Sequence, residues 1–191
     1  MKAGLMLGVN PESKREDNDF YATHPSALEV FLDRIEGEVV LNKNIWECAC
    51  GQKHLSRVLE SRGYDVRNSD LIKRLEDTDI IEKSFLEFTE VYEGDILTNP
   101  PFKLATEFLE KGMELLKTGN KILMFLKIQF LESQSRKALF KKFPPKYVYC
   151  YSQRQQCSMN ADFENLKATT QFYAWYVWEK GFDGETILRW I

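Results

Sequence analysis

The sequence predicts an α/β domain built around a mainly parallel sheet. Short apolar runs that are typical of strands alternate with stretches of helical periodicity, and two strand-like runs follow late in the chain. The chain of 191 residues is long enough to bury a substantial core, so we expect residues 1–191 to form a single domain. A hydrophobic content of 43% and an aromatic content of 13% are typical of a globular protein.

The first half of the chain alternates between apolar residues at helical spacing and short apolar runs that end at a glycine or a polar residue. Ser26 lies near the cap of the first helix, Gly51 follows the first strand, and Gly63 closes the second helix. Residues 80–88 are ambiguous and hold a candidate third strand. We predict a polar, loosely ordered start at residues 1–19, helices at residues 25–35 and 55–62, and strands at residues 45–48, 64–69 and 95–98.

In the second half, Gly119 ends one predicted helix and Pro144-Pro145 ends another. The uninterrupted apolar run after Lys121 predicts a buried strand, and a polar connection separates the last two strands. We predict helices at residues 104–116 and 132–143 and strands at residues 121–126, 146–151 and 171–178.

The composition argues against several classes of protein. The sequence has no apolar run long enough to span a membrane and no N-terminal segment that resembles a secretory signal, so we expect a cytoplasmic protein without a membrane partner. The cysteines form neither a disulfide framework nor the paired spacing of a zinc site, so we expect buried free thiols and no metal. The four cysteines are Cys48, Cys50, Cys150 and Cys157.

The net charge of −3 argues against a surface coated in basic residues, but the positive charges are unevenly distributed. Between positions 127 and 154 only Glu132 opposes a run of basic residues. Two interpretations stay open: the solvated basic face of a helix, which we favour slightly, and a contact surface for nucleic-acid phosphates. The basic residues are Lys127, Arg136, Lys137, Lys141, Lys142, Lys146 and Arg154.

Three predicted strands end in residues that suit a ligand. The first is followed by the small residues and glycine of Glu47-Cys48-Ala49-Cys50-Gly51, the second ends at Asp70, and the fourth ends at Asn99. Because ligands of open α/β sheets bind beyond the carboxyl ends of the strands, we expect these groups to form one site, with the Asp70 carboxylate able to accept two ribose hydroxyls. Taken singly, Asp70 is as well explained as a helix cap, and Glu47 as a partner of Lys53.

The segment Asn99-Pro100-Pro101-Phe102 combines groups that can hold a planar amine. Asn99 offers a side-chain carbonyl as an acceptor, and neither proline has an N–H that would compete for the turn's backbone carbonyls. Phe102 can stack on a flat ring, as aromatic side chains do with flipped-out bases. The competing interpretation is a plain strand-to-helix connection in which proline starts the next helix.

The chain resembles class I S-adenosylmethionine-dependent methyltransferases, and within that group the small phage and prophage adenine-N6 DNA methyltransferases. The resemblance covers nearly the whole chain. It implies a Rossmann-like three-layer sandwich with a mainly parallel seven-stranded sheet and an antiparallel last strand, S-adenosyl-L-methionine as cofactor, and DNA as partner. The segments that carry it are Tyr21-Ala22-Thr23-His24-Pro25, Glu47-Cys48-Ala49-Cys50-Gly51, His54-Leu55-Ser56, Asp70-Leu71, residues 95–102 and residues 172–180.

The resemblance also implies roles for individual residues. The catalytic residues are Asn99, Pro100, Pro101 and Phe102. The cofactor-binding residues are Tyr21, Thr23, Glu47, Cys48, Ala49, Gly51, His54, Leu55, Asp70, Leu71, Ser84, Phe85 and Asn99. The expected substrate contacts, which also rest on the basic run and the polar connection, are Phe102, Lys137, Arg154 and Lys167.

Two positions depart from the family pattern. Lys53 stands where the first loop usually has a glycine, and Ser84 stands where an aspartate often contacts the adenine amine. His24 and His54 are expected to be structural or to contact the cofactor, because the chemistry assigns them no proton to remove. The alternatives left open are a methyltransferase for an RNA base or a protein glutamine, and a non-catalytic binding protein with the same fold.

Overall fold

Ten strands and four α-helices alternate along the part of the chain that the structure describes. The computed structural model describes residues 21–76, 79–153, 155, 157–159, 163 and 171–191, so the predicted loose start, Arg154 and Lys167 lie outside it. None of the described helices is both long and apolar enough to cross a bilayer. In chain order the elements are β1 Tyr21–Thr23, α1 Pro25–Ile35, β2 Asn44–Glu47, α2 His54–Ser61, β3 Asp65–Asp70, β4 Ile80–Glu82, β5 Asp95–Thr98, α3 Ala105–Leu115, β6 Lys121–Lys127, α4 Lys137–Lys142, β7 Tyr147–Cys150, β8 Cys157–Met159, β9 Tyr173–Glu179 and β10 Ile187–Trp190.

Eight of these strands form one mixed sheet in the order β10-β7-β9-β6-β5-β2-β3-β4. Within the sheet, β4, β3, β2, β5 and β6 are parallel to one another. The strand β9 is antiparallel to both of its neighbours, β6 and β7. The chain runs outward from β2 through β3 and β4, then returns to the other side of β2 at β5, which creates a switch point where ligands of such sheets bind. The predicted fold class is confirmed.

The sheet has one strand more than the seven predicted, because β10 adds to the edge of the sheet, parallel to β7. Its side chains are mostly exposed, so the segment lacks the buried apolar pattern by which the other strands were recognised. A separate two-stranded sheet joins β1 to β8. Within the ambiguous stretch at residues 80–88, the predicted third strand is confirmed as β4.

Both faces of the sheet are covered, which gives the three layers. Alternate residues of β9 point to opposite faces: Trp175 packs with α1 and α2, whereas Trp178 packs with α3 and α4. Because β9 lies between two strands and under two layers, nearly every one of its side chains is buried. This explains why residues 173–178 are apolar or aromatic throughout.

The predicted helix at residues 132–143 is wrong in its first half. Ser133 has an extended backbone and only the six residues of α4 are α-helical. The guanidinium of Arg136 donates to the carbonyls of Phe130, Gln129 and Glu132 at 2.8–3.1 Å, which holds this segment in short 3-10 turns. A side chain that binds backbone carbonyls offers the chain an alternative to the helix ladder.

Candidate active site

The predicted strand ends meet at one edge of the sheet. Glu47 pairs in register with Asn68, two residues before Asp70, and Trp46 pairs with Ile96 on the other side. β5 and β6 run in register beside them, so Asn99 follows β5 at the same edge. The sheet therefore brings together the three groups that the sequence placed at separate strand ends.

The loop after β2 is fastened to β3 by its backbone. The N–H of Cys50 donates to the carbonyl of Ser69 at 3.0 Å, and the N–H of Gly51 donates to the Asp70 carboxylate at 2.7 Å. Gly51 has a φ of 53°, a left-handed conformation that glycine adopts without steric cost. The loop is thus a fixed turn rather than an open arm.

Asp70 is 7% exposed and is the anchor of this turn. Its carboxylate accepts hydrogen bonds from the N–H groups of Gly51 and Ile72 and from the guanidinium of Arg74. No helix begins at Asp70, so the helix-cap interpretation is wrong. A carboxylate has about four acceptor positions, so three donors leave room for one hydroxyl unless Arg74 moves.

Lys53 is the one non-glycine residue with a positive φ in the part of the chain that the structure describes. Its φ of 63° and ψ of 28° are left-handed, which explains why a glycine would suit the position. The side chain is buried and its ammonium lies 2.8 Å from Asp79 and 3.6 Å from Glu60. The lysine charge therefore serves these two carboxylates rather than the Glu47–Lys53 pair considered from the sequence.

Glu47 is the most deeply buried carboxyl at this edge, with 1% exposure. Burial raises the pKa of Glu47 to about 8, and the charge of Asp70 adds to this rise. The hydroxyl of Thr98 and the N–H of Ala49 act in the opposite direction and lower the pKa. Its Oε1 has no hydrogen-bond partner within the described residues, and neither has Oγ1 of the buried Thr23. Native proteins rarely leave buried polar atoms unsatisfied, so both atoms suit a polar ligand.

The Asn-Pro-Pro-Phe segment leaves β5 at the same edge. Asn99 is half-buried and Pro100 is buried, whereas Pro101 is exposed. The carbonyl of Pro101 accepts from the N–H of Leu104 at 2.8 Å, so it does not remain free as expected. Within the described part of the chain no backbone N–H donates to the carbonyl of Pro100. The helix α3 begins only at Ala105, after a 3-10 turn, so the prolines do not simply start it.

An aromatic group that the sequence did not predict surrounds Phe102. The rings of Phe102 and Tyr173 lie 5.9 Å apart, and Tyr173 stacks on Phe125 at 5.0 Å. The Nζ of Lys127 lies 5.0 Å from the centroid of the Phe102 ring. Lys127 and Tyr173 are paired in register between β6 and β9, which fixes both beside the loop. The position of Lys127 directly after a predicted strand is the sequence feature that could have placed it near this loop.

The two histidines lie at helix starts next to the first loop. His24 is the N-cap of α1, where its Nδ1 accepts from the N–H of Ser26, so Ser26 is near the cap but not the cap itself. The ring of Phe163 meets His24 at 5.0 Å and His54 at 5.3 Å, edge to face. Burial, with the charges of Arg57 and His24, lowers the pKa of His54, so this ring is neutral at pH 7. Phe163 was not recognised from the sequence.

The remaining predicted cofactor residues differ in their burial and position. Cys48, Leu55 and Phe85 are buried, and the Phe85 ring packs between Trp46 and Phe108 in the core. Leu71 is 61% exposed, which suits an apolar surface for a ring. Of the others, Tyr21 lies in β1, Ala49 lies in the loop itself, and Ser84 is half-buried before a 3-10 turn that its side chain does not cap.

The predicted basic surface is smaller than the sequence suggests. Arg136 is used by three carbonyls, and Lys146 pairs with Glu179 at 2.9 Å. Lys137 is exposed at the start of α4. On the α3 side, a cleft of about 600 Å³ is lined by three glutamates together with Lys111 and Lys142, so its charge is mixed rather than basic. These glutamates are Glu107, Glu110 and Glu114.

Comparison with known proteins identifies similar structures but no similar sequence. No family model matches the chain, and no curated protein matches it. A putative class I S-adenosylmethionine-dependent methyltransferase from Listeria monocytogenes has a TM-score of 0.60 at 15% identity over 87% of this chain, which covers 64% of the Listeria protein. A putative RNA methyltransferase from Pyrococcus horikoshii has a TM-score of 0.56 at 14% identity, over 83% of each chain.

The type IIG restriction endonuclease BpuSI has a TM-score of 0.60 at 16% identity, over 89% of this chain and 26% of its own. At these identities the likeness shows the fold, which is the Rossmann-like fold of class I methyltransferases. The chemistry has to be argued from the residues at the sheet edge.

Proposed function

We propose that this protein transfers a methyl group from S-adenosylmethionine to the exocyclic N6 amine of adenine in DNA. The observation that carries the proposal is the position of Asn99 and Pro100, at the end of β5 and beside the fixed loop that follows β2. Two acceptors that can hold an amine thus lie next to a turn that suits a cofactor. The structural likeness to class I methyltransferases supports methyl transfer from S-adenosylmethionine, and the choice of substrate rests on the residues.

The residues of the first loop fit the cofactor. When bound, S-adenosylmethionine supplies a methyl group on a positively charged sulfur. The unpartnered Oε1 of Glu47 suits a cationic amine, because ion pairing would repay the cost of a charge buried at 1% exposure. Asp70 would hold a ribose hydroxyl, and Leu71 would cover an apolar ring. Lys53, which replaces the usual glycine of this loop, pairs its ammonium with Asp79 at 2.8 Å.

Asn99 and Pro100 would prepare the amine for attack. An exocyclic adenine amine is a weak nucleophile because its lone pair is delocalised into the ring. Hydrogen bonds from its two N–H groups to the Asn99 side-chain carbonyl and the Pro100 carbonyl favour a tetrahedral nitrogen with a localised lone pair. Positioning and preorganised dipoles then supply most of the rate enhancement, and no strong base is needed because the proton leaves to solvent afterwards.

A base in duplex DNA must leave the stack before it can reach Asn99, which costs a few kcal/mol. Phe102 is half-buried beside Asn99 and offers a ring on which the base can stack. The structural neighbours include both a restriction endonuclease and a putative RNA methyltransferase, so the choice of DNA rests on the resemblance of the sequence to adenine-N6 DNA methyltransferases.

The test is incubation with labelled cofactor and a panel of DNA, RNA and glutamine-containing protein, followed by identification of the modified atom. We expect N6-methyladenine in DNA. We expect Asn99→Ala to reduce transfer by about 100-fold or more, as loss of one preorganised group does in other enzymes. Calorimetry should find its cofactor affinity within about twofold of the wild type, because the loop after β2 is unchanged.

Asn42→Ala is the matched control, since Asn42 lies at the opposite edge of the sheet and bonds to Glu93 and Asn44. Its transfer rate should equal that of the wild type. Turnover retained in Asn99→Ala would contradict the role of Asn99. Methylation of RNA or protein without methylation of DNA would show that the proposed substrate is wrong. If S-adenosylmethionine does not bind at millimolar concentration, the protein is not a methyltransferase but a non-catalytic protein with the same fold.

A further inference from the structure

The two oxygens of the Asp70 carboxylate are unequally occupied by donors from within the chain. Oδ2 accepts from the N–H of Gly51 at 2.7 Å, whereas Oδ1 accepts from the N–H of Ile72 and from Nη1 of Arg74, both at 3.1 Å. An ionised carboxylate offers about two acceptor positions on each oxygen. Oδ1 is therefore fully used, and Oδ2 has one position left.

The three donors differ in how easily they can leave. The N–H groups of Gly51 and Ile72 belong to backbone turns on either side of the carboxylate. Arg74 instead reaches Asp70 with a long side chain that is 21% exposed, and its Nη1 also donates to the carbonyl of Ile72 at 3.4 Å. A guanidinium on such a side chain can turn towards solvent while the backbone stays in place. Arg74 is therefore the donor that a ligand can displace.

We propose that Arg74 competes with the ribose of the cofactor for the Asp70 carboxylate, and so sets the affinity of the site for the cofactor. This inference rests on the proposed function, in which Asp70 holds the ribose. The two hydroxyls of a ribose can bind one to each oxygen of a carboxylate, but Oδ1 accepts a hydroxyl only when the guanidinium leaves. A single hydroxyl can use the open position of Oδ2, and Arg74 then stays where it is.

The pair also explains how the free protein stabilises Asp70, which is only 7% exposed. A buried charge is costly unless it is paired and hydrogen-bonded, and the Arg74 guanidinium supplies both interactions. The ribose has to replace this charge-assisted contact, so the cofactor binds less tightly than it would to an open carboxylate. S-adenosylhomocysteine, the product that methyl transfer leaves, carries the same ribose, so the competition favours its release as well.

The experiment measures the affinity of S-adenosylmethionine and of S-adenosylhomocysteine by calorimetry for the wild type, Arg74→Met and Arg62→Met. Methionine keeps an unbranched apolar stem and donates no hydrogen bond. Arg62 is the matched control, because it forms the same kind of pair with Asp33, at 2.7 Å, beyond the end of α2. We expect Arg74→Met to bind both ligands about tenfold more tightly, and Arg62→Met to bind them as the wild type does.

The comparison of ligands separates competition for the ribose from a general effect of charge. Only S-adenosylmethionine carries a positively charged sulfur, so tighter binding of this ligand alone would mean that Arg74 merely repels the sulfonium, and the proposal is wrong. Adenosine and 2′-deoxyadenosine, measured as competitors of S-adenosylhomocysteine, test the hydroxyls directly. Arg74→Met should tighten the binding of adenosine and leave that of 2′-deoxyadenosine unchanged. Equal effects on the two nucleosides would contradict the proposal.

Melting temperatures separate this role from a purely structural one. Arg74→Met removes a contact that the ribose also displaces, so it should lower the melting temperature of the cofactor-free protein more than that of the protein saturated with S-adenosylhomocysteine. An equal decrease in both, with unchanged affinity, would mean that Arg74 only stabilises the turn after β3. Weaker binding by Arg74→Met would mean that Arg74 contacts the cofactor itself. Either result overturns the proposal.

Failure of the proposed function gives a different result. If the wild type binds neither S-adenosylmethionine nor S-adenosylhomocysteine at millimolar concentration, both proposals are wrong. If the wild type binds both ligands and Arg74→Met binds them with the same affinity, only the role of Arg74 is wrong.

Discussion

Two carboxyl groups buried at opposite edges of the central sheet, those of Asp95 and Glu47, have opposite hydrogen-bonding environments. At the edge where the parallel strands begin, both carboxylate oxygens of Asp95 accept backbone N–H groups, from Asn42 and Lys121, at 2.7 Å. Glu38 lies at the same edge and accepts from Arg34, Tyr149 and Arg189. At the edge where the strands end, Glu47 is as deeply buried as Asp95, each being 1% exposed, but its Oε1 lacks a partner among the described residues.

The backbone shows the same contrast. The turns at the first edge that need a positive φ carry glycine, at Gly119 and Gly181, whereas the loop at the second edge places Lys53 at a φ of 63°. Satisfied carboxylates and unstrained turns stabilise the fold. Unsatisfied atoms and local strain persist where the rest of the structure holds them, and they are concentrated at functional sites. The difference therefore separates a stabilising edge from the proposed binding edge within one sheet.

The largest effect is expected at Glu47, as a dependence of stability on pH. Burial raises the pKa of Glu47 in the folded protein to about 8, above the ordinary glutamate pKa of 4.5 that applies to the unfolded chain. The protonated carboxyl therefore contributes stability that is fully present below pH 4.5 and is lost as the pH rises through 8. Between pH 5 and pH 8 this loss is on the order of 3 kcal/mol.

Glu47→Gln isolates this effect, because the amide resembles the protonated acid in shape and does not titrate. Urea denaturation of both proteins at several pH values should find nearly equal unfolding free energies at pH 5. At pH 8 the Gln variant should be more stable by on the order of 3 kcal/mol. A constant difference between pH 5 and pH 8 would show that Glu47 is ionised and satisfied, which removes the contrast between the edges.

At the other edge the same kind of substitution should have the opposite sign. Asp95→Asn places an amide NH2 against one of the two N–H groups that now share the carboxylate, and leaves that buried N–H unpaired. We expect a loss of about 2 kcal/mol in unfolding free energy at pH 7. Urea denaturation measures it, and cofactor affinity in the folded variant serves as the control, since it should not change. A stabilised Asp95→Asn would contradict the assignment of this edge.

The sequence predicted the elements that bury a regular pattern and missed those that depend on contacts from elsewhere. The helix at residues 25–35 and the strand at residues 95–98 were predicted with their observed bounds, because their apolar spacing and flanking turn residues are local signals. The first half of the helix predicted at residues 132–143 is not α-helical because Arg136 binds carbonyls up to seven residues away, whereas the second half is α4. The edge strand β10 was missed because little of it is buried.

The candidate site shows the same division. Glu47, Asp70 and Asn99 could be placed at strand ends from the sequence, and the sheet brings them together. The three donors on Asp70 and the Lys127 charge over Phe102 could not be predicted, because each joins residues whose proximity only the tertiary fold creates. Phe163, between two histidines, lies more than a hundred residues from both in the chain.

The smallest effect is expected at Lys53, and it tests whether the binding edge is strained. Lys53→Gly and Lys53→Ala both remove the ion pair with Asp79, and they differ only in how well the residue tolerates a φ of 63°. We expect the Gly variant to be more stable than the Ala variant by about 1 kcal/mol in thermal or urea unfolding. Gly119→Ala, at a φ of 88° on the other edge, is the matched control and should destabilise by a similar amount. Equal stability of the two Lys53 variants would mean that the loop relaxes out of the left-handed conformation, and the backbone contrast between the edges would then be lost.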